Sequence, residues 1–87
     1  MARPDQRFVY VLRSMLQTQR YYTGLTSDVS SRLDAHNAGL STHTASGRPW
    51  KIVATIEFFD ASRAEAFENY LKSGSGRAFA MRHFRDD

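Results

Sequence analysis

The chain has 87 residues, 41% hydrophobic and 24% charged, which is enough for one small core and too little for two domains. The absence of cysteine excludes a disulfide scaffold and a thiolate zinc site, and favours a reducing, cytoplasmic compartment. No apolar run approaches the roughly 20 residues of a membrane helix, and residues 1–7 lack a signal-peptide core, so we expect no membrane partner. The net charge of +3 favours an anionic binding partner.

Two short strands are predicted at the start of the chain. Residues 7–13 alternate and are dominated by aromatic and β-branched side chains, which predicts a strand buried on both faces. Residues 14–20 form a polar connection to a second strand at residues 21–25, so that the pair makes a hairpin. Within it, Gly24 indicates a bulge or a close approach of the backbone to the first helix or to a phosphate.

The first helix is predicted from its two ends. Residues 26–28 all suit an N-cap, Val29 and Leu33 provide an apolar stripe, and Gly39 is placed to end the helix. The segment that follows, residues 40–49, is rich in Ser, Thr and Gly, and it is a loop long enough to be functional.

The second half of the chain contains one strand and two helices. Residues 50–59 give the strongest strand pattern. One face of that strand is expected to carry Ile52, Ala54, Ile56 and Phe58. A helix over residues 60–72 begins with a capping box at Ser62 and Glu65, and a short final helix covers residues 77–84. The order ββαβαα predicts a single α+β domain with a three-stranded antiparallel sheet flanked by helices.

Several residues with functional side chains occur in a particular order along these elements. They are Tyr10 and the triplet Tyr22-Thr23-Gly24 on the two strands, Arg32 and His36 on the first helix, and Glu68 on the second. This set resembles the GIY-YIG nuclease family, in particular small stand-alone bacterial members related to the UvrC N-terminal endonuclease domain. Thr23 replaces the usual Ile of the second triplet, and the resemblance covers about residues 8–84.

The resemblance implies hydrolysis of DNA phosphodiesters with one divalent cation, Mg²⁺ or Mn²⁺. Glu68 matches the carboxylate that holds this cation on the leaving side, and a lone carboxylate with several waters suits Mg²⁺ beside a phosphate. The alternative for Glu68 is an i, i+4 surface pair with Lys72. Arg32 matches the arginine that contacts the scissile phosphate, and its alternative is a helix pair with Asp28.

The resemblance also implies that Tyr10 and Tyr22, together with His36, handle the attacking water. An unperturbed tyrosine has a pKa of about 10, so a base role needs a nearby cation or a relay through His36. Core packing is the alternative for both tyrosines, and an exposed surface position is the alternative for His36. Tyr21 alternates away from Tyr22 and is expected to pack in the core.

DNA contacts are expected from two further regions. Arginine matches phosphate oxygens, and residues 69–85 carry four basic residues and no acid, although a solvated basic surface would look the same. The residues expected to contact nucleic acid are Gly24, Thr42, His43, Arg48, Lys72 and Arg77, with Thr44 and Ser46 also suited to phosphate. The DNA-binding surface of one small domain is limited, which favours single-stranded or branched DNA over a specific duplex site unless a homodimer forms. A catalytically silent nucleic-acid-binding module of the same fold is the alternative function.

Overall fold

A computed structural model describes residues 5–85, which form three strands and three α-helices in the order ββαβαα. The elements are β1 (Arg7–Ser14), β2 (Tyr21–Thr26), α1 (Val29–Asn37), a short 3₁₀ helix (Ala45–Gly47), β3 (Trp50–Phe58), α2 (Ala61–Leu71) and α3 (Gly74–His83). The predicted α+β fold is therefore confirmed. Residues 1–4 and the terminal Asp86 and Asp87 lie outside the described residues. Within residues 5–85, every helix is too short or too polar to span a bilayer.

The sheet is antiparallel with the strand order β2-β1-β3, so β1 is the central strand. Val9 and Val11 face one side of it and Tyr10 and Leu12 the other, and each is exposed by 3% or less. The prediction of a strand buried on both faces is confirmed. A strand that is apolar on both sides occupies the centre because both of its faces need cover.

Helices cover both faces of the sheet and create two small cores. On one face Val9 and Val11 pack with Ala64 and Leu71, which come from α2. On the other face Tyr10, Leu12 and Trp50 form a cluster that α1 completes. These clusters are called the α2 core and the α1 core below. The α1 core contains the first tyrosine of the candidate site.

A bulge in β3 changes which of its residues share a face. Val11 pairs with Ala54, but the next residue, Leu12, pairs with Ile52, so Val53 is an extra residue in β3. Directly opposed residues of an antiparallel pair share a face, which places Ile52 with Leu12 and Ala54 with Val11. The prediction that Ile52 lines the same face as Ala54 is wrong, because one inserted residue reverses the alternation.

Helix α1 begins and ends where its capping residues predict. The Asp28 carboxylate accepts the Ser31 N–H at 3.1 Å, and this contact caps the N-terminus. Gly39 has φ +79°, and the next N–H, from Leu40, donates to the Ala35 carbonyl at 3.1 Å. This is the Schellman arrangement, which requires the left-handed conformation that glycine adopts freely.

Helix α2 begins at Ala61, one residue after its predicted start, and a residue other than the predicted one caps it. Asp60 is the N-cap, and its carboxylate accepts the Ser62 N–H at 2.8 Å. The capping box predicted for Ser62 and Glu65 is therefore wrong, since both residues already lie inside the helix.

Helix α3 starts at Gly74, three residues before its predicted start. Ser73 caps it by accepting the Gly76 N–H at 3.2 Å. At Gly76 the chain passes so close to the end of α2 that a Cβ would lie 1.7 Å from the Tyr70 carbonyl oxygen. The glycines therefore permit a tight junction between two helices, and they do not interrupt the helix over residues 74–76.

Candidate active site

Tyr10 and Tyr22 lie on the same face of the hairpin. In the register of β1 and β2, Tyr10 is opposite Gly24 and Tyr22 is opposite Leu12. The two tyrosine rings are 6.2 Å apart between centroids, and both belong to the α1 core. Tyr21 packs against the α2 core on the other face. The prediction that Tyr21 and Tyr22 face opposite sides of the sheet, with Tyr21 packed in a core, is confirmed.

Gly24 makes room for the Tyr10 ring. A Cβ at this position would lie 2.4 Å from the Tyr10 hydroxyl oxygen and 2.5 Å from the carbon that carries it. The pairing of β1 with β2 continues through Gly24 without a register shift, so the predicted bulge is absent. Gly24 is buried, and its close approach is to an aromatic ring within the sheet instead of the first helix or a phosphate.

His36 is buried between two hydroxyl groups. It is 0% exposed, which excludes the surface alternative. Its Nε2 lies 2.9 Å from the Tyr10 hydroxyl, and its Nδ1 lies 2.7 Å from the Thr44 hydroxyl. Burial lowers the pKa of His36, and the nearby Arg32 charge lowers it further. The imidazole is therefore neutral near pH 7, with one nitrogen donating a hydrogen bond and the other accepting one.

Thr44 was expected to contact a phosphate, and this expectation is wrong. It is 1% exposed, and its hydroxyl is engaged by His36. Its backbone carbonyl accepts the Trp50 indole N–H at 2.8 Å. Thr44 therefore fixes the imidazole to the α1 core. No sequence pattern distinguishes it from its loop neighbours Thr42 and Ser46.

Arg32 lies one helical turn before His36 and interacts with the Tyr10 hydroxyl. This contact raises the pKa of Arg32, so the guanidinium stays charged. Burial raises the pKa of Tyr10, and although Arg32 opposes this, Tyr10 remains a protonated phenol. The Asp28 carboxylate, the alternative partner of Arg32, is occupied by the backbone N–H and hydroxyl of Ser31.

Glu68 lies on α2, with its side chain only 15% exposed. It forms an ion pair with Lys72 at 2.9 Å, so the alternative predicted for it is present in this structure. Its negative charge also contributes to the raised pKa of Tyr10, which places Glu68 within electrostatic reach of the tyrosine hydroxyl. Lys72 is 52% exposed, so its ammonium group is accessible to solvent.

The side chains near Glu68 suit one kind of metal site. Within residues 5–85, no three His, Cys, Asp or Glu side chains are grouped closely enough to enclose a metal ion. The described residues therefore do not provide the several protein ligands that zinc requires. Mg²⁺ and Mn²⁺ accept a single carboxylate, with water and substrate phosphate as the remaining ligands, and Glu68 fits this requirement.

The predicted DNA contacts lie in two separate places. Thr42, His43 and Arg48 are exposed on the loop that precedes β3, and the Arg48 Nε–H donates to the Ala45 carbonyl at 2.7 Å. Lys72 follows α2, and Arg77 lies on α3. All five side chains are exposed, whereas Gly24 is buried.

Arg20 is a residue that the sequence patterns did not single out. It stands at the end of the connection before β2, where no motif marks it. Its guanidinium donates to the Ser46 hydroxyl at 2.8 Å and to the His43 carbonyl, and it lies 5.5 Å from the centre of the Trp50 ring. Arg20 therefore holds the loop that carries Thr44, and Ser46 is already engaged by an arginine of the chain itself.

Comparison with known proteins agrees with this geometry. The GIY-YIG catalytic domain matches residues 6–82. A UPF0213 protein of Listeria welshimeri is 37% identical over 70 residues, which cover 76% of each chain. The structure-specific endonuclease subunit SLX1 of Candida dubliniensis is 33% identical over 86 residues, which cover 91% of this chain and 29% of that protein.

A solved structure shares the fold. The solution NMR structure of the UPF0213 protein BH0048 from Bacillus halodurans superimposes with a TM-score of 0.55 and 26% sequence identity, covering 93% of this chain and 87% of that one. The match to the catalytic domain extends across both tyrosine strands, the Arg32–His36 helix and Glu68. The chain therefore belongs to the GIY-YIG family of nuclease catalytic domains.

Proposed function

We propose that this protein is an endonuclease that hydrolyses DNA phosphodiesters with Mg²⁺ or Mn²⁺ held by Glu68. The observation that carries the proposal is the buried hydrogen bond between Tyr10 and His36, with Arg32 against the same hydroxyl. Burying an imidazole and a phenol costs more than burying apolar side chains of similar size. A module that only binds DNA through its surface has no use for such a buried polar pair.

The side chains divide into those that can reach a substrate and those that support them. Tyr10 is 1% exposed, whereas Tyr22 is partly exposed, and this difference supports Tyr22 as the tyrosine that contacts the attacking water. Tyr10 contacts both Arg32 and His36, and thereby orients the guanidinium toward the scissile phosphate. Arg32 neutralises charge on the non-bridging oxygens.

The reaction is an in-line displacement at phosphorus. The water oxygen bonds to phosphorus while the bond to the 3′ oxygen breaks with its electron pair on that oxygen, which takes a proton from solvent, so the products are a 5′-phosphate and a 3′-hydroxyl. His36 can take up the proton that the water loses, by way of the tyrosine hydroxyls, because its lowered pKa keeps the imidazole neutral, with the nitrogen that faces Tyr10 able to accept a proton. The cation, when bound, supplies positive charge beside the leaving oxygen.

We propose single-stranded or branched DNA as the substrate. A single small domain buries roughly 600–1,000 Å² on nucleic acid, which is too little for a long sequence-specific site. The Candida relative is named a structure-specific endonuclease subunit, and this similarity favours a preference for DNA structure. The chain spans only 29% of that relative, so the preference has to be tested on this protein itself.

The test is Glu68→Gln, with Glu65→Gln as the matched control. Both replacements remove one negative charge from α2, but Glu65 is exposed and Glu68 is mostly buried beside Lys72. Glu68→Gln should lower the cleavage rate by on the order of 10³-fold or more, while Glu65→Gln leaves it unchanged. The lost ion pair with Lys72 should cost less than about 1 kcal/mol of unfolding free energy, because the lysine is half exposed.

The measurements are cleavage, DNA binding and thermal unfolding of the same preparations. Binding of DNA should survive in Glu68→Gln. Cleavage by this variant at the wild-type rate with Mg²⁺ or Mn²⁺ would remove Glu68 from the mechanism. Binding without cleavage by the wild-type protein would favour the catalytically silent module.

A further inference from the structure

The α2 side of the sheet carries a groove that the proposed reaction does not use. It lies between the edge strand β2 and helix α3 and has a volume of about 240 Å³. Apolar side chains of Val11, Leu71 and Phe84 line it, and all three pack in or against the α2 core. Tyr22 lines the groove at the edge of β2, although its ring packs against the α1 core on the other face, and the groove is linked to the candidate active site by Lys72, which pairs with Glu68.

Three cations surround this groove. Lys72, Arg77 and Arg85 are among its lining residues, and none of the lining residues in the described part of the chain is acidic. Lys72 is the ion-pair partner of Glu68. One end of the groove therefore lies at Lys72, the partner of Glu68, and its lining toward α3 carries the positive charges of Arg77 and Arg85. An apolar floor with a cationic rim suits a ligand that is flat and apolar in one part and anionic in another.

The groove also contains a stacking arrangement. The Arg85 guanidinium lies over the Tyr21 ring, 4.6 Å from its centre. Both residues line the groove. Nucleobases stack on arginine planes such as the one that Arg85 presents here, and this stacking tolerates any base because each has a π face. A volume of about 240 Å³ is below the roughly 300–1,000 Å³ of sites for drug-sized molecules, so it suits a single ring system.

We propose that the groove binds one unpaired nucleotide of a DNA strand, next to the phosphate that is cut. The base lies on the apolar floor, and the flanking phosphates contact Lys72, Arg77 and Arg85. A base inside a duplex is stacked on both faces and paired at its edge, so it cannot enter. The position of this nucleotide relative to the cut rests on the proposed function. The groove would give a physical reason for the proposed preference for unpaired DNA.

Arg77 and Arg82 provide a matched pair of variants for the test. Both arginines are exposed on α3, but Arg77 lines the groove and Arg82 lines a separate recess beside His83. Arg77→Gln and Arg82→Gln therefore change the net charge equally. A third variant, Ala80→Leu, adds bulk inside the groove and leaves every cation in place.

Binding is measured by fluorescence anisotropy in EDTA at fixed salt, with a labelled single-stranded oligonucleotide and a blunt duplex of the same length. The wild-type protein should bind the single strand more tightly. Arg77→Gln should weaken single-strand binding by roughly fivefold or more, and Arg82→Gln by less than about twofold. Ala80→Leu should weaken it by about tenfold, because the base loses its place.

Two results would overturn the groove assignment. Equal losses in Arg77→Gln and Arg82→Gln would show that only overall charge matters. Unchanged binding by a folded Ala80→Leu protein would show that the groove stays empty, or that another type of partner occupies it. Cleavage by the wild-type protein is measured in parallel with Mg²⁺. If the wild-type protein cleaves DNA but the variants show no binding differences, the nuclease proposal stands and the groove assignment fails. If the binding differences appear but the wild-type protein does not cleave, the groove assignment stands and the nuclease proposal fails.

Discussion

Replacing Gly24 with alanine is expected to damage both the fold and the site, because the added Cβ has no room. The Cβ would lie 2.4 Å from the Tyr10 hydroxyl oxygen and less than 3.0 Å from two ring carbons. Ordinary contact begins at 3.4 Å, so ring and strand must separate by about 1 Å (3.4 minus 2.4). Tyr10 is 1% exposed, so other protein atoms surround the ring and resist its displacement.

The expected cost follows from this geometry. Overpacking a well-packed core typically costs about 1–3 kcal/mol of unfolding free energy. A displacement of about 1 Å also takes the Tyr10–His36 hydrogen bond, now 2.9 Å, out of its favourable range. Cleavage should therefore fall by at least about tenfold even at temperatures where the variant is fully folded.

Gly74→Ala is the control for this experiment. Gly74 opens helix α3, and a Cβ there would meet nothing within 4 Å. Alanine should leave stability unchanged or raise it by up to about 1 kcal/mol, because it restricts the unfolded chain. Urea unfolding and cleavage are measured for both variants. Wild-type stability and cleavage in Gly24→Ala would refute the argument that the glycine exists to accommodate Tyr10.

Three further predictions concern the residues around the buried imidazole. Tyr22→Phe should keep the fold and slow cleavage strongly, while Tyr21→Phe has a much smaller effect on the rate; equal, mild effects would contradict the facing of the two tyrosines. Thr44→Val should cost about 1–3 kcal/mol of unfolding free energy and alter the pH profile of cleavage, because His36 Nδ1 loses its hydroxyl partner, and Thr44→Ser should restore both. Because burial lowers the pKa of His36, the unfolded chain takes up a proton near pH 6.5 and the folded chain only at lower pH, so stability is fully present above about pH 6.5 and is lost as the pH falls through the folded pKa. Urea midpoints between pH 7 and pH 5 should fall for the wild type and change less for His36→Gln; parallel slopes would show that other groups cause the loss.

Local sequence signals were enough to predict most of the fold. Alternating apolar residues locate the central strand, and Asp28 and Gly39 mark both ends of α1, because caps act through backbone groups only a few residues away. Two neighbouring residues, Asp60 and Ser62, both suit the N-cap of α2, and the sequence pattern alone points to the wrong one, since Asp60 is the cap. The bulge at Val53 could not be predicted, because it depends on how β3 meets the neighbouring strand and leaves no mark in its own residue pattern.

The sequence by itself determined which residue types stand at the candidate site and which strand face carries the tyrosines, because side-chain alternation is a local property. Only the tertiary structure decided what these residues contact. Tyr10 packs over Gly24 in the adjacent strand, and its hydroxyl reaches His36, which is 26 positions away. The sequence pattern of Thr44 is that of an exposed loop residue, but the tertiary structure buries it with its hydroxyl hydrogen-bonded to His36 Nδ1. Burial and hydrogen-bond partners arise from packing between distant segments, and a pattern read along the chain does not contain them.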